Sequence, residues 1–519
     1  MKFMRILVMC GLAAAPFVAS AAYSLSTYQN FVTGSWADAV AVGDINGDGR
    51  QDVVLTTGYL DNHENDFKVF VFFQNSSGTL DAPRKYSYAP AGIGGLALAD
   101  LDRDGRMDIV VGHGTGVTIL RWGMVHGGMG MRSRLLVSGR EANDVAIIDV
   151  DRDGALDVIA QSWSDDATIY YGDGYGGISR QTLLETPAQG YNDVESGDLN
   201  NDGYDDLVVF TGQGPTHAYV YYNDGSDDFS DPLDVNPNPD ALATIGAIGI
   251  GDFNADGRND LVAMRDSENL SLFYQNAQGG LDGVITVPSA SFPNALLGYD
   301  LDNDNRDDLV VLHGSGAVGI YLQGDGGLAP EIASNSPVAN WLNSQGIVAG
   351  DINGDGCADV VSANYNAGLV VHLGNGCSPA TDLAVGVGLT STTVAIRLDN
   401  FGPDAAADPG VTTALSVASG ILDVGALPSG CSMQSQSSRD VLVQCDGTSL
   451  DAGASRTLLL SISVNGGDRH NMLTASVEAR TPTADRYLPN NRGGRKIRLQ
   501  AFASPAQKIL PSGRPASSR

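Results

Sequence analysis

One nine-residue pattern, D-x-[DN]-x-D-[GN]-x-x-D, occurs seven times in this chain, and each copy runs straight into a short β-rich apolar segment. The first comprises Asp44, Asn46, Asp48, Gly49 and Asp52 and is followed by Val53, Val54, Leu55, Thr56 and Thr57. Later copies start at Asp100, Asp149, Asp198, Asp252, Asp300 and Asp351, at intervals of 56, 49, 49, 54, 48 and 51 residues. A period near fifty residues, with one acidic loop and several strand-like runs per unit, is the mark of a repeat architecture such as a propeller.

The spacing sets the loop chemistry. Positions 1, 3 and 5 place three oxygen side chains around one point, position 7 can add a backbone carbonyl, and the Asp at 9 closes the cage; Gly at 6 permits the sharp turn. The side chains in these places are Asp44, Asn46, Asp48 and Asp52; Asp100, Asp102, Asp104 and Asp108; Asp149, Asp151, Asp153 and Asp157; Asp198, Asn200, Asp202 and Asp206; Asp252, Asn254, Asp256 and Asp260; Asp300, Asp302, Asp304 and Asp308; and Asp351, Asn353, Asp355 and Asp359. Hard oxygen donors on a flexible loop suit calcium better than magnesium, which demands a smaller octahedron, or zinc, which prefers sulfur and nitrogen. Up to seven Ca2+ sites are expected. An EF-hand is excluded, because the place of its closing Glu is taken by Leu55 in the first copy and the flanks read as strands. Asp-Gly and Asn-Gly also make hairpin turns, but seven in-register copies with every ligand place filled argue for a cage. In the sixth copy Asn305 replaces the Gly, and Asn tolerates the left-handed conformation.

These loops, with framing such as Ala41 to Asp44 (AVGD) and Gly197-Asp198, resemble the FG-GAP or VCBS repeats of integrin α-subunit propellers and of many secreted bacterial proteins. The resemblance covers roughly residues 23 to 376. It implies an all-β fold, a seven-bladed β-propeller; for function it leaves adhesion modules, lectin-like binders and a few polysaccharide lyases open.

Within the first unit, residues 39–43 (AVAVG), 53–57 (VVLTT), 68–74 (KVFVFFQ) and about 85–88 (KYSY) give four strands, one blade. The seventh unit stops after its third strand, and its missing outer strand is expected from residues 24–32, which closes the ring and removes exposed edges. The propeller thus spans 23–377.

Composition agrees with this reading. The chain has 519 residues, 65 Gly and 43% apolar residues, long enough for two or more domains. Its net charge of −31 is concentrated in the loops, where 24 of the 61 acidic residues occupy ligand places. Without calcium the ring should repel itself, and nucleic acid is excluded as a partner for such a surface. Residues 1–22, with Lys2 and Arg5 before an apolar run and Ala19-Ser20-Ala21-Ala22 after it, read as a secretory signal peptide too short to span a membrane. Cys10 follows Met9, which is too large for a lipoprotein motif. A secreted, extracellular or periplasmic protein is expected, and its four remaining cysteines then favour two disulfides. Cys357 and Cys377 flank the central hairpin of the seventh unit, and Cys431 and Cys445 bracket a hairpin beyond it.

From 381 to 491 the acidic pattern ends, and alternating runs such as LAVGVGL, TVAIRL and RTLLLSISV read as a β-sandwich. Asn400-Phe401-Gly402-Pro403-Asp404, the cysteine pair and Leu488-Pro489-Asn490-Asn491 resemble immunoglobulin-like repeats of CARDB type. Residues 492–519, with seven basic and no acidic side chains, read as a flexible basic tail.

No catalytic motif is present: there is no G-x-S-x-G, H-E-x-x-H or phosphate loop. In a propeller the acidic loops lie on one face, while the turns after each second strand and the segments entering each first strand lie on the other. On that second face fall Trp36, Trp163, Trp341, Tyr191, Tyr365, His113, His313 and Arg265. Aromatic side chains in loops on a rigid ring point to recognition; the alternative is packing between blades. The expected function is a binding or adhesion module for a protein or cell-surface glycan. The alternative is a polysaccharide lyase or hydrolase on the same face, with His113, His313 and Arg265 as its proton-transfer and charge-neutralising groups.

Overall fold

The computed structural model describes residues 23–498 except 89–93, 126–127, 138–139, 164–165, 187–191, 212–213, 216, 226–228, 230–231, 237–241, 244–246, 325, 340–343, 379, 382, 401–404, 408, 452–453, 466–471, 482–483 and 486–491. The expected signal peptide, Tyr191, Trp341, two segments of the sandwich resemblance (401–404 and 488–491) and the end of the expected tail lie outside the described residues. Among those described, all regular structure is β. No helix there is long and apolar enough to cross a membrane.

Seven four-stranded antiparallel sheets form the blades. Blade 1 consists of Ala37–Gly43, Asp52–Thr57, Lys68–Phe72 and Arg84–Ser87 in spatial order. Its two middle strands are buried on both faces, because each blade is sandwiched between two others; hence the unbroken runs DVVLTT and KVFVF. The outer strand, RKYS, is mostly exposed and accordingly polar. The inner strands of the seven blades are Ala37–Gly43, Leu96–Ala99, Asp144–Ile148, Asn192–Gly197, Ile248–Gly251, Pro293–Tyr299 and Ile347–Gly350. Each contacts the next, and the last contacts the first, so the ring is closed.

The cores lie between blades. Leu55, Phe70 and Phe72 of blade 1 pack with Val361, Leu369 and Val371 of blade 7; each such side chain contributes about 1.5–3 kcal/mol on burial. At this seam the outer strand of blade 7 is Gln29–Phe31, paired as Gln29↔Val371, Asn30↔Val370 and Phe31↔Leu369. Ser24–Leu25 adds pairs to Gly374–Asn375, and the Tyr23 hydroxyl donates to Ala358 O at 2.7 Å. The ring is therefore closed by its N-terminal segment, as the truncated seventh unit requires. The Cys357–Cys377 disulfide spans the same blade, with a Cα separation of 5.5 Å.

Beyond the propeller two sheets face each other. One is ordered Leu383–Leu389, Thr393–Asn400, Ser455–Asn465, Ile421–Val424; the other Cys431–Gln436, Asp440–Cys445, Gly410–Val417, Met472–Arg480, Arg492–Arg498. Ile396, Leu398 and Leu460 of the first meet Leu415, Val443 and Leu473 of the second in one core. Cys431 and Cys445 are directly opposite in adjacent strands and bonded. The expected flexible tail is corrected at its start: Arg492–Arg498 pairs with Met472–Arg480 as an edge strand. An edge strand needs only free backbone groups to pair with, so its basic, apolar-poor composition concealed it.

Acidic loops on one face and aromatic groups on the other

Each acidic loop joins the first strand of a blade to the second, so all seven lie on one face of the ring. In every loop the residues at positions 4 and 6 have positive φ, from Gly47 (78°) and Gly49 (81°) in the first to Asn303 (58°) and Asn305 (65°) in the sixth. At position 4, Arg103, Arg152, Asn201, Ala255 and Asn303 adopt this conformation without being glycine, at roughly 1–2 kcal/mol each. The bend aims successive amides at the first Asp: Asp44 accepts the N–H groups of Gly47, Asp48 and Gly49 at 2.7, 3.1 and 2.7 Å. Asn305 takes the place of Gly and donates to Asp300 at 2.9 Å.

The Asp at position 9 has a second duty. Asp308 accepts Leu301 N–H at 3.0 Å from its own loop and Gln323 N–H at 2.7 Å from the end of the third strand. Asp52, Asp157, Asp206, Asp260 and Asp359 repeat the arrangement. Blade 2 departs from it: there Arg121 donates to Asp108 at 3.2 Å. All seven are buried, and burial pushes their carboxyls up, to about 6 for Asp157, about 7 for Asp52, Asp108, Asp206 and Asp260, and about 8 for Asp308 and Asp359.

The outer positions fit a hard cation. Carboxylate oxygens of Asp100, Asp102 and Asp104, of Asp149, Asp151 and Asp157, and of Asp300, Asp302 and Asp304 lie within 4.8 Å of one another. Where position 3 is Asn, an amide oxygen offers the same donor. Asp102 Oδ1, Asp149 Oδ1, Asn254 Oδ1 and Asp302 Oδ1 are buried acceptors with no hydrogen-bond partner, a state that a cation relieves. Position 5 instead meets position 7 in four loops, as Asp48–Arg50, Asp104–Arg106, Asp256–Arg258 and Asp304–Arg306 pairs.

On the opposite face the residues singled out from the sequence divide. Trp36, entering blade 1, and Tyr365, in the hairpin turn of blade 7, are half-buried and stack across the seam, ring centroids 4.5 Å apart at 22°. Trp163 is half-buried, and its backbone N–H donates to Asn143 Oδ1 at 3.0 Å. Arg265 lies at the bulge of Asp260–Asp266, half-buried, and donates to Ser271 Oγ at 3.4 Å. His113 and His313 are corrected as surface groups, since both are buried. His113 holds Thr118 Oγ1 at 3.1 Å, and burial lowers it to about 4. His313 Nε2 meets Glu331 Oε1 at 2.6 Å, for which Gly319 leaves the room. Ending the second strand places a side chain inside the blade, which spacing alone did not reveal.

The face also carries aromatic and aliphatic groups that sequence reasoning missed. Phe292, entering blade 6, is 57% exposed with φ +61°. Tyr59 and Leu60 project from the hairpin turn of blade 1, and Val338 from the entry to blade 7. Phe292 N–H donates to Ser267 O (2.8 Å) and Phe292 O accepts Gly314 N–H (2.9 Å), joining the turns of blades 5 and 6, while Asn366 Nδ2 donates to Val338 O (3.3 Å) within blade 7. Ser336 N–H, in the entry to blade 7, donates to Gly316 O of blade 6 at 3.0 Å, and the Trp36–Tyr365 stack joins blades 7 and 1, so the exposed groups of blades 6, 7 and 1 stand on adjoining turns. Phe292 is preceded by Ser-Ala-Ser in an irregular loop, where no periodicity flags it.

Fold and loops define a β-propeller with an acidic loop in each blade. The model of the FG-GAP-like repeat matches residues 44–111, 149–209, 198–263, 252–311 and 300–362, and the chain belongs to that family. Among solved structures it is similar to an Agrocybe aegerita lectin described for specific recognition of non-reducing terminal N-acetylglucosamine (18% identity, 59% of this chain and 83% of that one, TM-score 0.44). It is also similar to BBS1N in complex with ARL6DN (13% identity, 68% and 97%, TM-score 0.45). No curated protein matches it.

Proposed function

We propose that the chain is a secreted, calcium-stabilised binding module whose ligand, a protein or a cell-surface glycan, docks on the propeller face opposite the acidic loops. The observation that carries this is Phe292, an exposed aromatic ring on a left-handed backbone. A bulky residue in that conformation is strained by about 1–3 kcal/mol, and strain of this kind concentrates at ligand-contacting sites. It stands in the same sector as Val338, Tyr59, Leu60 and the Trp36–Tyr365 stack, groups that supply large contact areas at low entropic cost. Calcium is the cation that the loops fit best, by their oxygen donors and count. Two disulfides favour an oxidising compartment. The C-terminal sandwich serves in this reading as an immunoglobulin-like domain of CARDB type. Catalysis on this face would need acid–base groups at the surface, and His113 and His313 lie within their blades.

A glycan and protein array probed with the whole protein in excess calcium supplies the ligand. Phe292→Ala and Trp36→Ala should each weaken binding to the selected ligand by about tenfold or more, while Tyr175→Ala, on the acidic-loop face and 87% exposed, should not. If affinity is unchanged in both variants, the site is elsewhere; if acidic polysaccharides are cleaved to unsaturated products, the protein is a lyase.

A further inference from the structure

The amides that the position-nine Asp residues hold at the ends of the third strands belong to residues of two kinds. In blades 3 and 7 they are Gly172 and Gly374, which have no side chain. In blades 1, 4, 5 and 6 they are Gln74, Asn223, Gln275 and Gln323, all buried. Each of these four carboxamides reaches across a seam to the backbone carbonyl of the first Asp in the preceding blade's acidic loop. Gln323 Nε2 donates to Asp252 O at 2.6 Å, Gln275 Nε2 to Asp198 O at 3.1 Å, Asn223 Nδ2 to Asp149 O at 3.2 Å and Gln74 Nε2 to Asp351 O at 3.5 Å. Three of them also donate to the position-eight carbonyl of their own loop: Asn223 to Asp205 O at 3.2 Å, Gln275 to Asn259 O at 3.2 Å and Gln323 to Asp307 O at 3.3 Å.

One side chain thus holds two loops at once, by the last Asp of its own and the first Asp of its neighbour. A buried donor that loses its acceptor costs free energy, so each carboxamide favours the state in which both loops are in place. The bridges form an unbroken series across the seams of blades 3/4, 4/5 and 5/6. The series stops at the 2/3 seam, where Gly172 stands in the bridging place. At the 6/7 seam that place is Gly374, and Asn303 of the sixth loop donates instead to Gly356 O at 2.8 Å. A cation that orders one loop fixes its position-nine Asp, hence the carboxamide, hence the first Asp of the loop before it. Part of the ordering cost of the neighbouring loop is then already met, which is the condition for positive coupling between sites.

We infer that Asn223, Gln275 and Gln323 are positioning residues that make the loops of blades 3, 4, 5 and 6 bind calcium as one coupled set, with the loop of blade 2 outside it. The inference rests on the calcium sites proposed above and is independent of the docking face.

Hydrogen exchange of the whole protein, followed loop by loop against free calcium, tests this, because each loop then reports its own isotherm. The loops of blades 3 to 6 should gain protection at one shared midpoint, more steeply than a single site allows, and the loop of blade 2 at another. Gln275→Met keeps the bulk and removes the donor; it should raise the midpoints on both sides of the 4/5 seam by about fivefold or more and leave the loop of blade 2 unchanged. Should that variant fail to fold, Asp256→Ala, an exposed ligand place in the loop of blade 5, should raise the midpoints of the loops of blades 4 and 6 with every bridge intact. Gln345→Met is the control for a merely structural role: Gln345 Nε2 donates to Val145 O at 2.9 Å, away from the loops, and its loss should leave the shared midpoint in place. If no loop responds to calcium, the cation reading fails and the coupling with it. If the loops respond separately, if all seven share one midpoint with the strands between blades, if Gln275→Met and Asp256→Ala leave their neighbours unchanged, or if Gln345→Met acts as Gln275→Met does, the coupling alone is overturned.

Discussion

Asp206 and Asp202 belong to one loop yet carry different loads. Asp206 is buried and accepts Leu199 and Asn223 amides at 2.9 and 2.8 Å, whereas Asp202 is 39% exposed and pairs with Arg152 at 3.1 Å. Removing Asp206 strands two buried donors, each at about 1–3 kcal/mol. In chelator, Asp206→Ala should therefore lower unfolding free energy by about 2–4 kcal/mol and Asp202→Ala by less than about 1 kcal/mol. Denaturant titration measures both, and equal effects would show that the position-nine Asp is a ligand and nothing more. His113 is a second residue whose burial has a consequence. Its pKa falls from 6.5 to about 4, so the fold favours the neutral ring. That stability is complete above about 6.5 and is lost as pH falls toward about 4, by up to about 3 kcal/mol. The drop in melting temperature from about pH 7 to about pH 5 should be smaller in His113→Gln than in the parent.

Among the elements, the seam between blades 7 and 1 is the most exposed to failure, because it joins the two ends of the propeller chain. Gln29–Phe31 contributes only three paired residues, and short edge pairings fray first. The Cys357–Cys377 bond, separated by 20 residues in sequence, restrains the same blade and should contribute about 3 kcal/mol. Replacing both cysteines by Ala should shift the denaturation midpoint accordingly and raise hydrogen exchange first in Gly368–His372 and Gln29–Phe31. Uniform loss of protection across all blades would show that the bond does not act on the seam. In every blade but the second, the position-nine Asp accepts amides from both its acidic loop and the end of its third strand, which explains why a loop and a strand fifteen residues later, Asp308 and Gln323 for example, act together.

For the whole molecule the governing quantity is charge. A net charge of −31 is drawn to one face by seven loops, and up to seven divalent cations would neutralise about half of it. Chelation should lower the melting temperature substantially, with the shift growing as salt is reduced, since the repulsion is screened over about 10 Å at 0.1 M. Thermal scans with and without chelator at two ionic strengths decide this. Superimposable scans would mean that the loops are held by their own hydrogen bonds alone.

What the sequence by itself determined is what is local and repeated. The seven loops, their strand-flanked frame, the missing outer strand and the two cysteine pairs follow from spacing, because turn chemistry and strand alternation act over a few residues and recur every fifty or so. The part played by each side chain on the free face was decided only by tertiary structure. His113 and His313 share a place in the repeat with surface turns, yet the packing of neighbouring blades encloses them. Phe292 is exposed because its backbone is held left-handed by turns of blades 5 and 6. Burial is a property of neighbours, and neighbours in a ring are set by closure rather than by sequence distance.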